Sequence, residues 1–112
     1  MEPMRQLPTD EMTLAGILYA LGDPVRLEIV QTLARQGEQP CRHCADRIAK
    51  STLSHHFKIL REAGVVASRK VGTQHLNSLR RQDIDRRFPG LLGAILAAVD
   101  EDLAGKDSIK GA

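Results

Sequence analysis

The chain has no tryptophan, one tyrosine and two phenylalanines among 112 residues. With aromatics at 3%, any core must be built from Leu, Ile, Val, Ala and Met. Cysteine is as scarce: Cys41 and Cys44 alone cannot supply the disulfide framework of a small secreted domain, so a reducing compartment is expected. No apolar run approaches the roughly 20 residues that a membrane helix needs. The start, "MEPMRQLPTDEM", carries acids and prolines where a signal peptide would carry a basic and then an apolar stretch. These absences predict a soluble, cytoplasmic protein that does not act at a membrane. The length fits one domain with a modest core and leaves no room for a separate catalytic domain, so added burial against a partner chain is expected.

The net charge of +2 hides an asymmetry. Residues 42–87 hold eleven Lys/Arg against four acids, a net +7, whereas the remainder holds five bases against ten acids, a net −5. One part of the molecule is built to meet an anion.

Residues 1–9, with two prolines and no periodicity, read as a disordered tail; residues 10–104 form the folded domain, and 105–112 a fraying tail. A first helix is predicted from Asp10 as N-cap, with Met12, Leu14, Ile17, Leu18 and Leu21 forming a wide buried stripe. Asp23 caps a second helix, Pro24 occupies its first position, and Gly37 stops it. "CRHCADRI" is ambiguous, with two helical turns as the expectation. Residues 51–63 give the clearest helix: Leu53, Phe57 and Leu60 face inward and Gly64 ends it. "VVASRKVGTQHLNSL" reads as a β-hairpin turning at Gly72, "RRQDIDRRF" as a linking turn or short helix, and Pro89 opens a last helix with the stripe Leu91, Leu92, Ile95, Leu96 and Val99. The order predicts a mainly α fold with a small β-hairpin wing: a winged helix-turn-helix flanked by two helices. The first and last helices carry more apolar surface than so small a core uses, so they are expected to pair across a twofold axis in a homodimer.

Opposite the buried face of the 51–63 helix lies a polar stripe of Ser51, Ser54, His55, Lys58 and Glu62. Hydroxyls and imidazole near a helix N-terminus can bond base edges in a major groove, and lysine reaches phosphate or guanine. The adjacent His55 and His56 point about 100° apart around a helix and cannot share one metal ion as an i, i+4 pair can. His55 reads as a DNA contact or a solvated side chain, His56 as half-buried packing. No catalytic triad or HExxH pattern is present. At the hairpin tip, Arg69, Lys70, Gln74 and His75 fit either a solvated ribbon or a wing lying on the sugar-phosphate backbone or in the minor groove. Arg80, Arg81, Arg86 and Arg87 are interleaved with Asp83 and Asp85 and give a weaker signal.

"LGDPVRLEIVQTL", "KSTLSHHFKILREAGVV" and "SRKVGTQHLNSL" together resemble the ArsR/SmtB-type bacterial winged-helix repressors over roughly residues 14–79. The resemblance implies a homodimer paired through its first and last helices, double-stranded DNA as partner, and repression until an effector binds. It carries Lys50, Ser51, Thr52, Ser54, His55 and Lys58 over as base or phosphate contacts and Arg69, Lys70, Gln74 and His75 as wing contacts, with Asp23, Pro24 and Arg26 structural. Two recognition helices about 34 Å apart would read a pseudo-palindromic operator.

The segment Cys41-Arg42-His43-Cys44 is the one constellation suited to sensing. Metal-sensing relatives use C-x-C there, so C-x-x-C is a departure. The last helix has Asp100, Glu101 and Asp102 but no His or Cys, and the zinc site that other relatives place there is expected to be missing. No cofactor is required by this reading. Cys41, Cys44 and His43 offer at most three soft ligands, enough for a metalloid or soft metal ion; the two thiols could instead close a disulfide, or simply pack. Two readings of other classes remain: a small dithiol redox protein, which would need a βαβ context that is not seen, and a winged helix used for protein contact.

Overall fold

The computed structural model describes residues 6–41, 44–45 and 47–111, with side chains as far as residue 102. In chain order these form α1 (Leu14–Leu21), α2 (Pro24–Gln36), β1 (Gln39–Pro40), α3 (Lys50–Ala63), β2 (Val66–Val71), β3 (Gln74–Leu79), α4 (Arg81–Arg87) and α5 (Leu91–Gly111), after a 3₁₀ turn at Thr9–Glu11. The arrangement is a winged helix-turn-helix: helices around an aliphatic core, and a three-stranded antiparallel sheet of order β1-β3-β2.

The Asp23 carboxylate accepts from the backbone N–H of Val25 (2.9 Å) and Arg26 (3.1 Å), and Pro24 lacks the N–H that would otherwise be unpaired, so α2 begins where the sequence predicts. It stops at Gly37. On α3, Leu53, Phe57 and Leu60 are buried as expected, joined in the core by Ile17, Leu21, Ile29, Val30, Leu33, Val65, Val66, Ile84 and Leu92. Each such side chain contributes roughly 1.5–3 kcal/mol relative to exposure. Gly64 closes α3 in the left-handed conformation (φ 87°), and its N–H returns to the Arg61 and Leu60 carbonyls.

The first helix differs from expectation. It does not start at Asp10: after the 3₁₀ turn the chain is extended at Met12, and Thr13 is the cap, its hydroxyl accepting from Gly16 N–H at 3.0 Å. The cause is Met12, fully buried beside Gly64, which draws the chain inward one turn before a helix from Asp10 could form. The same contact orders part of the expected tail. Leu7 packs on the core and its carbonyl accepts from Arg80 Nη1, so residues 6–9 are docked, while residues 1–5 of that tail lie outside the described residues. The predicted stripe of α1 divides: Met12, Ile17 and Leu21 are buried, but Leu14 and Leu18 face outward.

Two further elements depart from the reading. Among the described residues of 41–48 none lies in an α-helix; Cys44 N–H bonds to the Cys41 carbonyl and Ile48 N–H to the Ala45 carbonyl, while Arg42, His43 and Asp46 lie outside the described residues. β1 precedes them, with Gln39 opposite Asn77 and Pro40 opposite Leu76. A two-residue strand ending in proline carries no alternation to read and fits only at a sheet edge, where Pro40 sits. At the other end α5 runs to Gly111.

Gly64 and Gly72 both have positive φ, but a methyl on Gly64 would come within 3.0 Å of Met12 whereas one on Gly72 would meet nothing. Gly64→Ala is therefore expected to destabilise the fold by more than Gly72→Ala, the latter costing ~1 kcal/mol. Denaturant midpoints of the two variants test this; equal losses would mean that Met12 does not press on Gly64.

Candidate nucleic-acid interface

With Leu53, Phe57 and Leu60 turned inward, α3 presents Lys50, Ser51, Thr52, Ser54, His55 and Lys58 as one exposed surface running from its N-terminus, with Glu62 at the far end. The first turn has no acidic residue, and Ala49 at the N-cap offers no side-chain acceptor. Its backbone N–H groups and the positive end of the helix dipole are thus left for an outside anion or for water.

The hairpin pairs Lys70 with His75, Arg69 with Leu76 and Val71 with Gln74. Opposed residues share a face, so the four predicted wing residues split: Lys70 and His75 continue the face that carries the buried Ser68 and Asn77, while Arg69 and Gln74 lie on the other. All four are exposed. Arg69 is already engaged, its Nε and Nη2 donating to the two Glu38 carboxylate oxygens at 2.8 and 2.7 Å. That pairing holds the Glu38 carboxyl below its ordinary range and raises the guanidinium further. A guanidinium has five N–H groups, so Arg69 keeps donors for a phosphate. Just before α3, Arg47 is forked onto Glu28 in the same way, both contacts at 2.7 Å.

One cluster was not legible as a unit. His56, read as packing, is half-buried, and its Nδ1 lies 3.1 Å from Arg26 Nη1 and 3.9 Å from the Asp23 carboxylate. Nothing in residue spacing links α2 to α3 at these positions.

Residues 21–69 match the family model of a helix-turn-helix domain. A helix-turn-helix-type transcriptional regulator of Bacillus subtilis, YceK, is 38% identical over 92 residues, covering 80% of this chain and 92% of the relative. The arsenical resistance operon repressor of Staphylococcus xylosus is 36% identical over 73 residues, covering 64% of this chain and 70% of the relative. The chain belongs to the ArsR/SmtB family of winged-helix transcriptional regulators. The solution structure of a homodimeric winged helix-turn-helix domain from Mycobacterium bovis, Mb0332, superposes with a TM-score of 0.64 at 28% identity, covering 80% of this chain and 81% of that one. As an ArsR/SmtB protein this is a DNA-binding regulator and not an enzyme. No helix among the described residues is long and apolar enough to cross a membrane.

The cysteines of this ArsR/SmtB regulator occupy unlike environments. Cys41 is partly exposed and its sulfur accepts from Asn77 Nδ2 at 3.2 Å. Cys44 is buried, its thiol directed at the Pro40 carbonyl at 3.7 Å, and burial, with a smaller contribution from Cys41, pushes its pKa up from 9.0 to about 12. Such a thiol is protonated at neutral pH and is a poor nucleophile. His43 lies outside the described residues, and no group of three His, Cys, Asp or Glu among the described residues is placed to hold a metal ion. On α5, Asp100 accepts from Gln31 and Arg35 of α2.

Because the folded chain holds the Cys44 proton more tightly than the unfolded chain, this contribution to stability is intact below pH 9.0 and is lost as pH rises toward about 12. Denaturation midpoints followed from about pH 8 to about pH 11 should fall more steeply for the native chain than for Cys44→Ala. Parallel slopes would show that Cys44 is not held as a buried thiol.

Proposed function

We propose that the chain is a cytoplasmic, homodimeric, sequence-specific repressor that reads a pseudo-palindromic operator and is released by an effector. The observation that carries the reading is the exposed run of Ser51, Thr52, Ser54 and His55 on α3, flanked by Lys50 and Lys58. The wing contributes Lys70 and His75 on one face and Arg69 and Gln74 on the other as backbone or minor-groove contacts. In this reading Arg69 reaches phosphate with the N–H groups that Glu38 leaves, and the helix end and hydroxyls of α3 read base edges.

Homodimerisation is supported by α1, where Leu14, Leu18 and Tyr19 are 45%, 48% and 68% exposed, and by the exposed Ala94, Ala97 and Ala98 on α5. A second copy covering both helices would bury this surface and set two recognition helices about 34 Å apart. For release, Cys41 is the accessible thiol of the segment 41–44. Cys41 and Cys44 do not by themselves make a metal site, since one is a tightly held thiol and two ligands leave a soft ion's coordination incomplete, so no step of this reading runs through a metal. The same tightly held thiol argues against a dithiol redox function.

A duplex enriched from a randomised pool, compared with its scrambled version by fluorescence anisotropy, tests the reading. Ser54→Ala and His55→Ala should each lose ~1–3 kcal/mol of discrimination while the salt slope is kept. Lys70→Ala should weaken both duplexes alike and reduce the salt slope by about 0.9 per protomer, about 1.8 for the dimer. Retained discrimination in both α3 variants would remove the recognition-helix assignment. Leu18→Glu should shift the sedimenting species to monomer and lower operator affinity; an unchanged dimer would move the interface away from α1.

A further inference from the structure

The recognition helix turns one histidine outward and folds the next one back. His55 is exposed, whereas the His56 side chain is 12% exposed, its ring tilted 55° from that of His55. It lies against Arg26, a residue only 8% exposed, and every nitrogen of that guanidinium has a partner. Nε donates to the Ala20 carbonyl at 2.6 Å, Nη2 to the Tyr19 carbonyl at 3.4 Å, and Nη1 faces His56 Nδ1 at 3.1 Å. The two carbonyls lie at the C-terminal end of α1, where the helix dipole favours a cation, and the Tyr19 carbonyl also accepts from Gly22 N–H. One guanidinium thus joins α1, α2 and α3.

Arginine has donors only, so the atom that Nη1 faces must accept. A hydrogen bond at this contact therefore requires the ring proton of His56 to be on Nε2. Asp23 does not compete for that nitrogen, because the carboxylate oxygen nearest to it already accepts from the N–H groups of Val25 and Arg26. A side chain that merely filled space would not require one tautomer.

We propose that Arg26 and His56 are positioning residues for DNA recognition: within the roll that the buried face of α3 imposes, the hydrogen bond between them fixes the final angle of α3 against α1 and α2, and so the angle at which Ser54 and His55 meet base edges. The proposal rests on the assignment of base contacts to α3. It predicts a larger effect on selectivity than on general affinity, since lysines on flexible stems follow a phosphate over a range of angles whereas the short side chains of Ser54 and His55 do not. It also gives α1 a route to the reading face. The Arg26 guanidinium lies 5.7 Å from the Tyr19 ring centroid, so a chain that covers Tyr19 bears on the same guanidinium.

The test uses the full chain and two variants at His56. His56→Leu keeps bulk and removes the acceptor; His56→Asn places an amide oxygen near the position of Nδ1. A long-range proton–nitrogen spectrum at slightly alkaline pH should show a single Nε2–H tautomer for His56, unlike the mixture of a free ring. The Leu variant should lose about tenfold in the affinity ratio of selected over scrambled duplex with an unchanged salt slope, and the Asn variant should recover most of it. Because the Leu variant also loses stability, all ratios are taken at a temperature where circular dichroism shows each protein folded. A protonated Nδ1, native selectivity in the Leu variant, or an Asn variant no better than Leu overturns the proposal. If Ser54→Ala and His55→Ala leave selectivity intact, the recognition-helix reading fails instead, and the tautomer still decides whether the clasp exists.

Discussion

Everything on the reading face depends on which way α3 is rolled, and that is decided by burying Leu53, Phe57 and Leu60. At 3.6 residues per turn, fixing one face fixes the other, so Ser54, His55 and Lys58 have no choice but to face out. The magnitude matters. Exposing these three side chains would give up roughly 5–9 kcal/mol, comparable with the entire net stability of a small domain at about 5–15 kcal/mol. A chain with few aromatics can still hold α3 firmly because one of its two phenylalanines, Phe57, is placed there and is fully buried.

The wing inherits its position from that helix. Gly64 reverses the chain in a left-handed conformation, Val65 and Val66 enter the core directly after it, and β2 begins with its inner face already set. β3 is then tied by a buried polar residue. Asn77 accepts from the Ser68 hydroxyl and donates to the Gln39 carbonyl and to Cys41 sulfur, so the hairpin, β1 and the cysteine segment share one hydrogen-bonded centre. Among the described residues no buried side-chain nitrogen or oxygen lacks a partner, which is the condition for such a network to rigidify the sheet. By contrast the Arg69–Glu38 pair is exposed, and exposed ion pairs contribute little to stability.

The parts of the fold that were readable are those where local chemistry and burial agree. Asp23-Pro24, the Leu53–Phe57–Leu60 spacing and Gly64 each carry their own physical reason, and each appears where the sequence places it. What was not readable depends on contacts far along the chain. Met12 belongs to the apolar period of α1, but its partner is Gly64, and that distant contact breaks the helix start. Leu14 and Leu18 fit the same period and are exposed, because periodicity marks a face without saying whether this chain or another covers it. The exposed stripe on α3 was legible as a surface; the Arg26–His56 contact was not, since thirty residues separate its members. β1 is too short for any pattern to show.

The charge pattern also reads differently once partners are known. Within the basic segment, Arg47 and Arg69 are forked onto Glu28 and Glu38, both from the acidic remainder, and Arg80 is buried against Asp83 and the Leu7 carbonyl. Among the described residues, the cations of the α3 stripe and wing tip that carry no ion pair are Lys50, Lys58 and Lys70. The division follows from side-chain chemistry. A planar guanidinium locks onto one carboxylate with two bonds and suits a fixed internal tie, whereas an ammonium on a flexible stem follows a phosphate without demanding one geometry. In the proposed reading, lysines at both ends of the hydroxyl stretch draw the helix to any duplex, and discrimination is left to the short side chains between them, which would reach base edges only with α3 in the groove at the angle that its buried face and Arg26 impose.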